Sequence, residues 1–225
     1  MDANPELSLA DQAYQRLRHE ILIGTLAPGD VVSERELAGS YEMSKTPIRE
    51  AVTQICREGL LQRLPGRGYM VSPITIKEIQ DLFDMRLILE LATVEHVVKN
   101  PAPKYCDKLK EMAKIKYVLD DPASYVTFLE ANREYHLTLA EATGNQKLYS
   151  ILEGVLIEME RLFHLGLRLR DSSDEMAREH EELCSAIEDG DLERATESMS
   201  DQIITSKQRI MEAIMRGDLK PIQAI

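Results

Sequence analysis

Apolar residues recur at helical spacing along most of this chain, and the breaks in that rhythm divide it into two textures. Between Ser8 and Ile23, the residues Leu9, Tyr14, Leu17, Ile21 and Leu22 fall on one helical face. Gly24 and then Pro28-Gly29-Asp30 stop that helix with turn chemistry. Ser33-Glu34-Arg35-Glu36 sets Glu three residues after Ser, the capping-box start of a short helix through Leu37 and Ala38. Ser44-Lys45-Thr46-Pro47 opens the next helix, with Ser44 or Thr46 placed to cap it and Pro47 tolerated in its first turn. Its apolar stripe runs through Ile48, Ala51, Val52 and Ile55 to near Gly59. From Leu60 to Ser72, two short apolar runs flank Pro65-Gly66-Arg67-Gly68, which predicts a β-hairpin.

After Pro73 the pattern changes to long amphipathic helices with no strand signal. The spacing predicts helices at 75–99, 103–119, 122–142, 145–170, 173–189 and 191–216. They are separated at Asn100-Pro101, Asp120-Asp121-Pro122, Gly144-Asn145, Asp171-Ser172 and Gly190-Asp191. Six helices with short connections predict an antiparallel bundle. The fold class is therefore mainly α: a winged helix-turn-helix domain over residues 1–72, then an all-α six-helix bundle over 73–225.

Composition narrows the function classes. No apolar run approaches the ~20 residues that a membrane helix needs, and the first residues do not read as a secretory signal. Cys56, Cys106 and Cys184 are odd in number and lack a C-x-x-C pair, which suits reduced thiols in the cytoplasm rather than a disulfide framework. The net charge is −12. Residues 1–72 hold 8 Lys and Arg against 10 Asp and Glu, leaving 19 against 29 for the remainder. An acidic total opposes bulk attraction to a polyanion, yet a local basic face still binds one.

Such a face lies in the first domain. In a helix-turn-helix the N-terminal end of the second helix enters the major groove. Arg49 sits one turn into that helix, where its guanidinium suits guanine O6 and N7. Lys45, Thr46 and the helix N-terminus suit phosphate oxygens. Arg35 and Arg67 extend the basic surface, and Gly66 and Gly68 allow close backbone approach at the hairpin tip. The competing view is that the motif is only a packing unit and that Arg49 and Glu50 form a solvated surface pair.

The run Ser33-Glu34-Arg35-Glu36-Leu37-Ala38, Ser44-Lys45-Thr46-Pro47-Ile48-Arg49-Glu50-Ala51, Glu58-Gly59-Leu60-Leu61 and Pro65-Gly66-Arg67-Gly68 resembles the GntR family of transcriptional regulators. The helical remainder resembles the effector-binding (FCD-type) domain of the FadR branch, in its shorter six-helix, VanR-like version. The resemblance implies that Arg35, Lys45, Thr46 and Arg49 contact DNA and that Gly66 sits at the minor groove. Lys45 stands where the family usually has Arg, and a point charge without a planar fork weakens any base readout there.

Polar residues interrupt the apolar faces of the second domain. Arg86 and Glu90 lie within the stripe of the helix at 75–99. Asn132 and His136 lie on the inner face of the helix at 122–142. His180 aligns with Met176, Leu183, Cys184 and Ile187, and Gln202 aligns with Met199 and Ile203. Buried polar groups need partners. Either these residues satisfy one another, as Arg86 with Glu90, or they converge on a cavity for a polar ligand. Arg86 is the natural partner for a ligand carboxylate. Asn145, Arg161 and His164 are further candidates for the same cavity.

The resemblance also implies a metal position, since FadR-branch domains often hold a divalent ion on an Asp-x-x-x-His pair and two later His residues. The matching positions are Asn132, His136, His180 and Gln202. Two have become neutral amides, which are poor ligands for zinc or nickel. The set suits either such a metal or a metal-free pocket whose four residues hydrogen-bond the effector.

The expected protein is a cytoplasmic, homodimeric, ligand-responsive regulator, a repressor of a metabolic or transport operon. It would bind a pseudo-palindromic double-stranded operator and release it on binding a small organic acid. The rival readings are a metabolite or metal sensor whose helix-turn-helix makes protein contacts, and a metal-dependent enzyme. No nucleophile motif, P-loop or dinucleotide fingerprint supports an enzyme.

Overall fold

The computed structural model describes residues 7–167 and 171–215, and the backbone divides between Ile76 and Lys77 into two units. In the first unit, α1 (Leu9–Leu22) starts at Ser8, whose hydroxyl accepts the Asp11 N–H at 3.1 Å. The two-residue strand β1 (Val31–Val32) leads into α2 (Glu34–Tyr41). The capping box forms: Ser33 Oγ accepts the Glu36 N–H at 3.2 Å, and Glu36 Oε2 accepts the Ser33 N–H at 2.8 Å. Glu42, in the left-handed region at φ 54°, ends α2.

The next helix, α3 (Lys45–Arg57), has Ser44 as its N-cap residue but no side-chain cap bond. The reason is local. An N-cap hydroxyl bonds the N–H two or three residues on, and Pro47 at the third helical position has none. Thr46 lies inside the helix rather than at its cap.

The hairpin consists of β2 (Leu61–Leu64) and β3 (Gly68–Val71), with Leu64 opposite Gly68. At its tip the Arg67 N–H donates to the Leu64 carbonyl at 3.0 Å. Pro65 and Gly66 fill the centre of that turn, and Gly66 takes the positive φ, 72°, of a type II turn. β1 pairs antiparallel with β3, so the sheet order is β1-β3-β2. Leu17, Ile21, Ile48, Val52, Ile55, Leu61 and Val71 pack into one core beneath these elements.

The second unit carries α4 (Ile76–Lys99), a 3-10 turn (Pro103–Tyr105), α5 (Cys106–Ala113), α6 (Pro122–Ala142), α7 (Gln146–Leu167), α8 (Ser173–Glu188) and α9 (Leu192–Met215). The expected ends at 168–170 and 216 lie outside the described residues. The helix expected over 103–119 stops at Ala113: the Lys114 and Ile115 N–H groups tighten onto carbonyls three residues back, and side chains capture the backbone beyond them. The Tyr117 N–H donates to Ser173 Oγ at 2.9 Å, and the Val118 N–H to Ser124 Oγ at 2.9 Å. Tyr117 turns into an aromatic cluster, edge-on to Tyr125 and Phe128 at 5.5 and 5.1 Å between centroids. No helix among the described residues is long and apolar enough to cross a membrane.

Candidate functional site

In the first unit, Arg35, Lys45, Thr46, Arg49, Gly66 and Arg67 are all exposed. Their positions follow from local structure. Arg35 rides on the first turn of α2, Lys45, Thr46 and Arg49 on the first two turns of α3, and Gly66 and Arg67 on the hairpin tip. Exposed donors at a helix start and on a turn suit a polyanion. Gly66 has open space where a Cβ would stand, whereas a Cβ on Gly68 would meet the Val32 carbonyl oxygen at 2.4 Å. The absent side chain at Gly68 therefore serves the β1–β3 contact rather than an approach to a duplex.

Arg49 has a partner within its own unit. Its Nε donates to Glu34 Oε1 and Oε2 at 3.3 and 3.2 Å, and its Nη2 to Oε2 at 3.0 Å. The Tyr69 hydroxyl donates to Glu34 Oε1 at 3.1 Å. The Arg49 hydrogen bonds hold the Glu34 carboxyl below its ordinary range, with help from Tyr69 and from the charge of Lys45. Arg49 pairs with Glu34 rather than with the adjacent Glu50. Sequence inspection missed Glu34 and Tyr69, whose relation to Arg49 spans three elements.

In the second unit, Arg86 and Glu90 on α4 and His136 on α6 form a buried cluster. Arg86 Nε donates to Glu90 Oε1 at 2.5 Å, and Arg86 Nη2 lies 3.0 Å from His136 Nε2. His136 Nδ1 bonds Glu90 Oε2. A guanidinium only donates, so Nε2 is the accepting nitrogen and Nδ1 carries the proton toward Glu90. Burial lowers the His136 pKa, and the neighbouring Arg86 charge pushes the same way against Glu90. Burial opposes charge on Glu90, but His136 and Arg86 outweigh it and hold the carboxylate ionised.

His180 on α8 stacks on the Tyr135 ring, with centroids 4.2 Å apart and planes 28° apart. Its pKa lies well below the ordinary imidazole value, first through burial, then because a proton on it would compete with one on His136 and meet the charge of Arg86. Arg86, Asn132, His136, His180 and Gln202 all line one narrow cavity, with about 30 Å³ of room for water-sized contents. Phe163, Leu129 and Met176 supply apolar wall. Glu90 stands behind Arg86 and His136 and holds them in place.

Three further candidates stand elsewhere. Asn145 is exposed, and its Oδ1 accepts the Lys147 and Leu148 N–H groups at 3.1 and 3.2 Å, so it caps the start of α7. Arg161 and His164 are buried on α7, away from the cavity wall. Burial lowers the Arg161 pKa against the opposing charge of Glu78.

The structure adds Glu179, Ser206 and Arg209 to the wall. Gln202, Ser206 and Arg209 stand at i, i+4 and i+7 on α9, a helical spacing that was open to reading. Gln202 Nε2 donates to the Glu179 carbonyl at 2.7 Å. Arg209 Nη2 donates to Glu175 and Glu179 at 3.2 and 3.0 Å. Gln202 Oε1, Arg209 Nε and Arg209 Nη1 are buried and have no hydrogen-bond partner among the described residues.

As these side chains lie, Asn132, His136, His180 and Gln202 do not fit a divalent metal. His136 Nε2, the nitrogen facing away from Glu90, already accepts from a guanidinium at 3.0 Å. The amides at 132 and 202 neutralise none of an ion's charge. The arrangement instead offers two donor atoms on Arg209 and one acceptor on Gln202, with neutral imidazole beside them.

Comparison with known proteins places both units. The model of the gntR family of bacterial regulatory proteins matches residues 9–71, and the FCD domain model matches residues 81–205. The chain is 24% identical over 212 residues to the HTH-type transcriptional repressor RspR of Escherichia coli K12, covering 93% of each. It is 32% identical over 163 residues to the gluconate operon transcriptional repressor of Bacillus subtilis 168, covering 70% of this chain and 64% of that one. Among solved structures, E. coli McbR/YncC matches with a TM-score of 0.70 at 21% identity, over 92% of this chain and 98% of that one, which shows a shared fold.

Proposed function

This chain belongs to the GntR family of bacterial regulatory proteins and carries an FCD domain, and from that premise we propose that it is an operator-binding repressor released by a small hydroxy acid. That it is a DNA-binding transcriptional regulator follows from the family and from the relatives' names. Those names also support a chain without a catalytic step.

One observation carries the ligand part of the reading: Gln202 Oε1, Arg209 Nε and Arg209 Nη1 are buried without partners beside one cavity. An unpaired buried polar group costs roughly 1–3 kcal/mol, so a ligand that pairs all three is bound by the relief. Glu175 and Glu179 already offset the Arg209 charge, and a bare carboxylate gains little there. A ligand that also offers a hydroxyl hydrogen to Gln202 Oε1 gains more. The gluconate operon named for one relative involves an acid of this class. In this reading the pocket needs no metal, and the effector meets side chains alone.

A homodimer suits the DNA side, because two recognition helices about 34 Å apart match successive major grooves of a pseudo-palindrome. The test is fluorescence-anisotropy binding of the full chain to duplexes tiled across its own upstream region at two salt concentrations. The expected result is one tile bound tightly, with affinity falling steeply as salt rises through counterion release. Equal, weak binding on every tile would overturn the operator reading. Added zinc that raises Tm in wild type and not in His136→Ala would overturn the metal-free pocket.

A further inference from the structure

Arg49 is tied to Glu34 by three hydrogen bonds although its side chain lies open to water. The Arg49 side chain is 65% exposed, and an ion pair so open to water contributes little to stability. Ordering a long side chain also has an entropic cost. Yet the Glu34 carboxylate is fixed from two sides. It stands at the first position of α2, which the capping box of Ser33 and Glu36 anchors. From the wing, the Tyr69 hydroxyl donates to Oε1, and Tyr69 is itself half-buried against the core. Gly68 brings β3 so close to β1 that no side chain fits between them, which sets Tyr69 opposite Val32, two residues before Glu34.

The geometry of a guanidinium completes the argument. It has a side-on edge made of Nε–H and one Nη2 hydrogen, and an end-on edge made of Nη1 and the other Nη2 hydrogen. Glu34 engages the side-on edge, through Nε and Nη2. The end-on edge is left as a parallel pair of donors, the arrangement that matches guanine O6 and N7. We infer that Glu34 and Tyr69 are positioning residues that hold the end-on edge of Arg49 toward a base. The wing and the recognition helix are thereby joined through one carboxylate, so a displaced wing loosens the base-reading side chain. This rests on the operator-binding reading and on Arg49 as the base reader.

The test compares the ratio of specific to non-specific binding for wild type, Glu34→Gln, Tyr69→Phe, Arg49→Ala and the Glu34→Gln/Arg49→Ala double variant. A ratio is needed because removing the Glu34 charge tightens binding to any DNA. Glu34→Gln is expected to lower the ratio about five- to tenfold, at the low end of what one bidentate base contact supplies, and Tyr69→Phe about two- to threefold, a partial loss below it. In the double variant the loss should equal that of Arg49→Ala alone, because residues acting through one another are not additive. Tyr69→Phe keeps the ring in the core, which guards against a mere folding defect, and Tm is read for every variant. If Glu34→Gln keeps or raises the ratio while Arg49→Ala lowers it, the positioning role is overturned and Glu34 is only a competitor for Arg49. If Arg49→Ala itself keeps the ratio, the base-reading role falls first, and this inference with it.

Discussion

The guanidinium of Arg86 is engaged by Glu90 and His136 before any ligand arrives, so its removal strands a buried carboxylate. Breaking such a pair from one side typically costs about 3–5 kcal/mol, whereas replacing both partners by apolar groups is often near neutral. Arg86→Ala should therefore lower unfolding free energy by about 3–5 kcal/mol in urea titrations, and Arg86→Met/Glu90→Leu should recover most of the loss. A loss under about 1 kcal/mol for the single variant would show that the cluster does not hold the fold. The buried imidazoles set a second dependence. His136 and His180 both have lowered pKa values in the folded state, so they stay neutral while the unfolded chain takes up protons below about 6.5. Stability is then full above that pH and declines as pH falls toward 5, by up to about 1.4 kcal/mol per pH unit for each histidine. The depressed Glu90 adds its own loss only as pH falls below the ordinary carboxylate range. A midpoint of denaturation that does not change between pH 7 and pH 5 would contradict this assignment.

At the scale of elements, what the sequence made legible was what is decided locally. The start of α2 was readable because Ser33 caps it through a bond three residues long, and α1 was readable from the period of its apolar residues. The hairpin was readable from Pro65 and Gly66. Other features depend on distant partners. β1 has two residues and no period, and it exists because β3 lies beside it. The helix expected to 119 ends at Ala113, and beyond it Ser124 and Ser173, from other elements, take up the backbone. The same division runs through the candidate sites. Arg86 with Glu90 and Asn132 with His136 showed as i, i+4 pairs, and Gln202 as an inward residue. The Glu90–His136 and Glu34–Arg49 pairs span elements and left no mark in spacing. Arg209 shared a helical face with Gln202 and was overlooked because a charged residue near the end of α9 passes as solvated. Gly68 supplies the sharpest element-level prediction. Gly68→Ala drives a Cβ into the Val32 carbonyl and strains a φ of 105°, so Tm should fall clearly. Gly66→Ala meets open space and strains only its φ, and its Tm should fall less. Equal losses would mean that the β1–β3 approach is not what Gly68 secures.

For the whole molecule, the narrowness of the cavity bears on regulation. Its walls come from α4, α6, α7, α8 and α9, and a ligand larger than a few atoms must move them apart. A ligand alters DNA affinity only through unequal binding to the two arrangements, and couplings of about 1–3 kcal/mol are typical. The acidic second unit gives operator binding no electrostatic help, which leaves phosphate attraction to the exposed cations of the first unit. The most direct measurement is operator affinity by anisotropy on the bound tile, with and without a panel of small hydroxy acids, in wild type and Arg209→Ala. The account predicts that at least one acid weakens the wild-type complex by about five- to 150-fold, while Arg209→Ala binds the operator and ignores the same acid. Release of the Arg209→Ala complex at wild-type acid concentrations, or wild-type affinity unchanged by every acid in the panel, would contradict it.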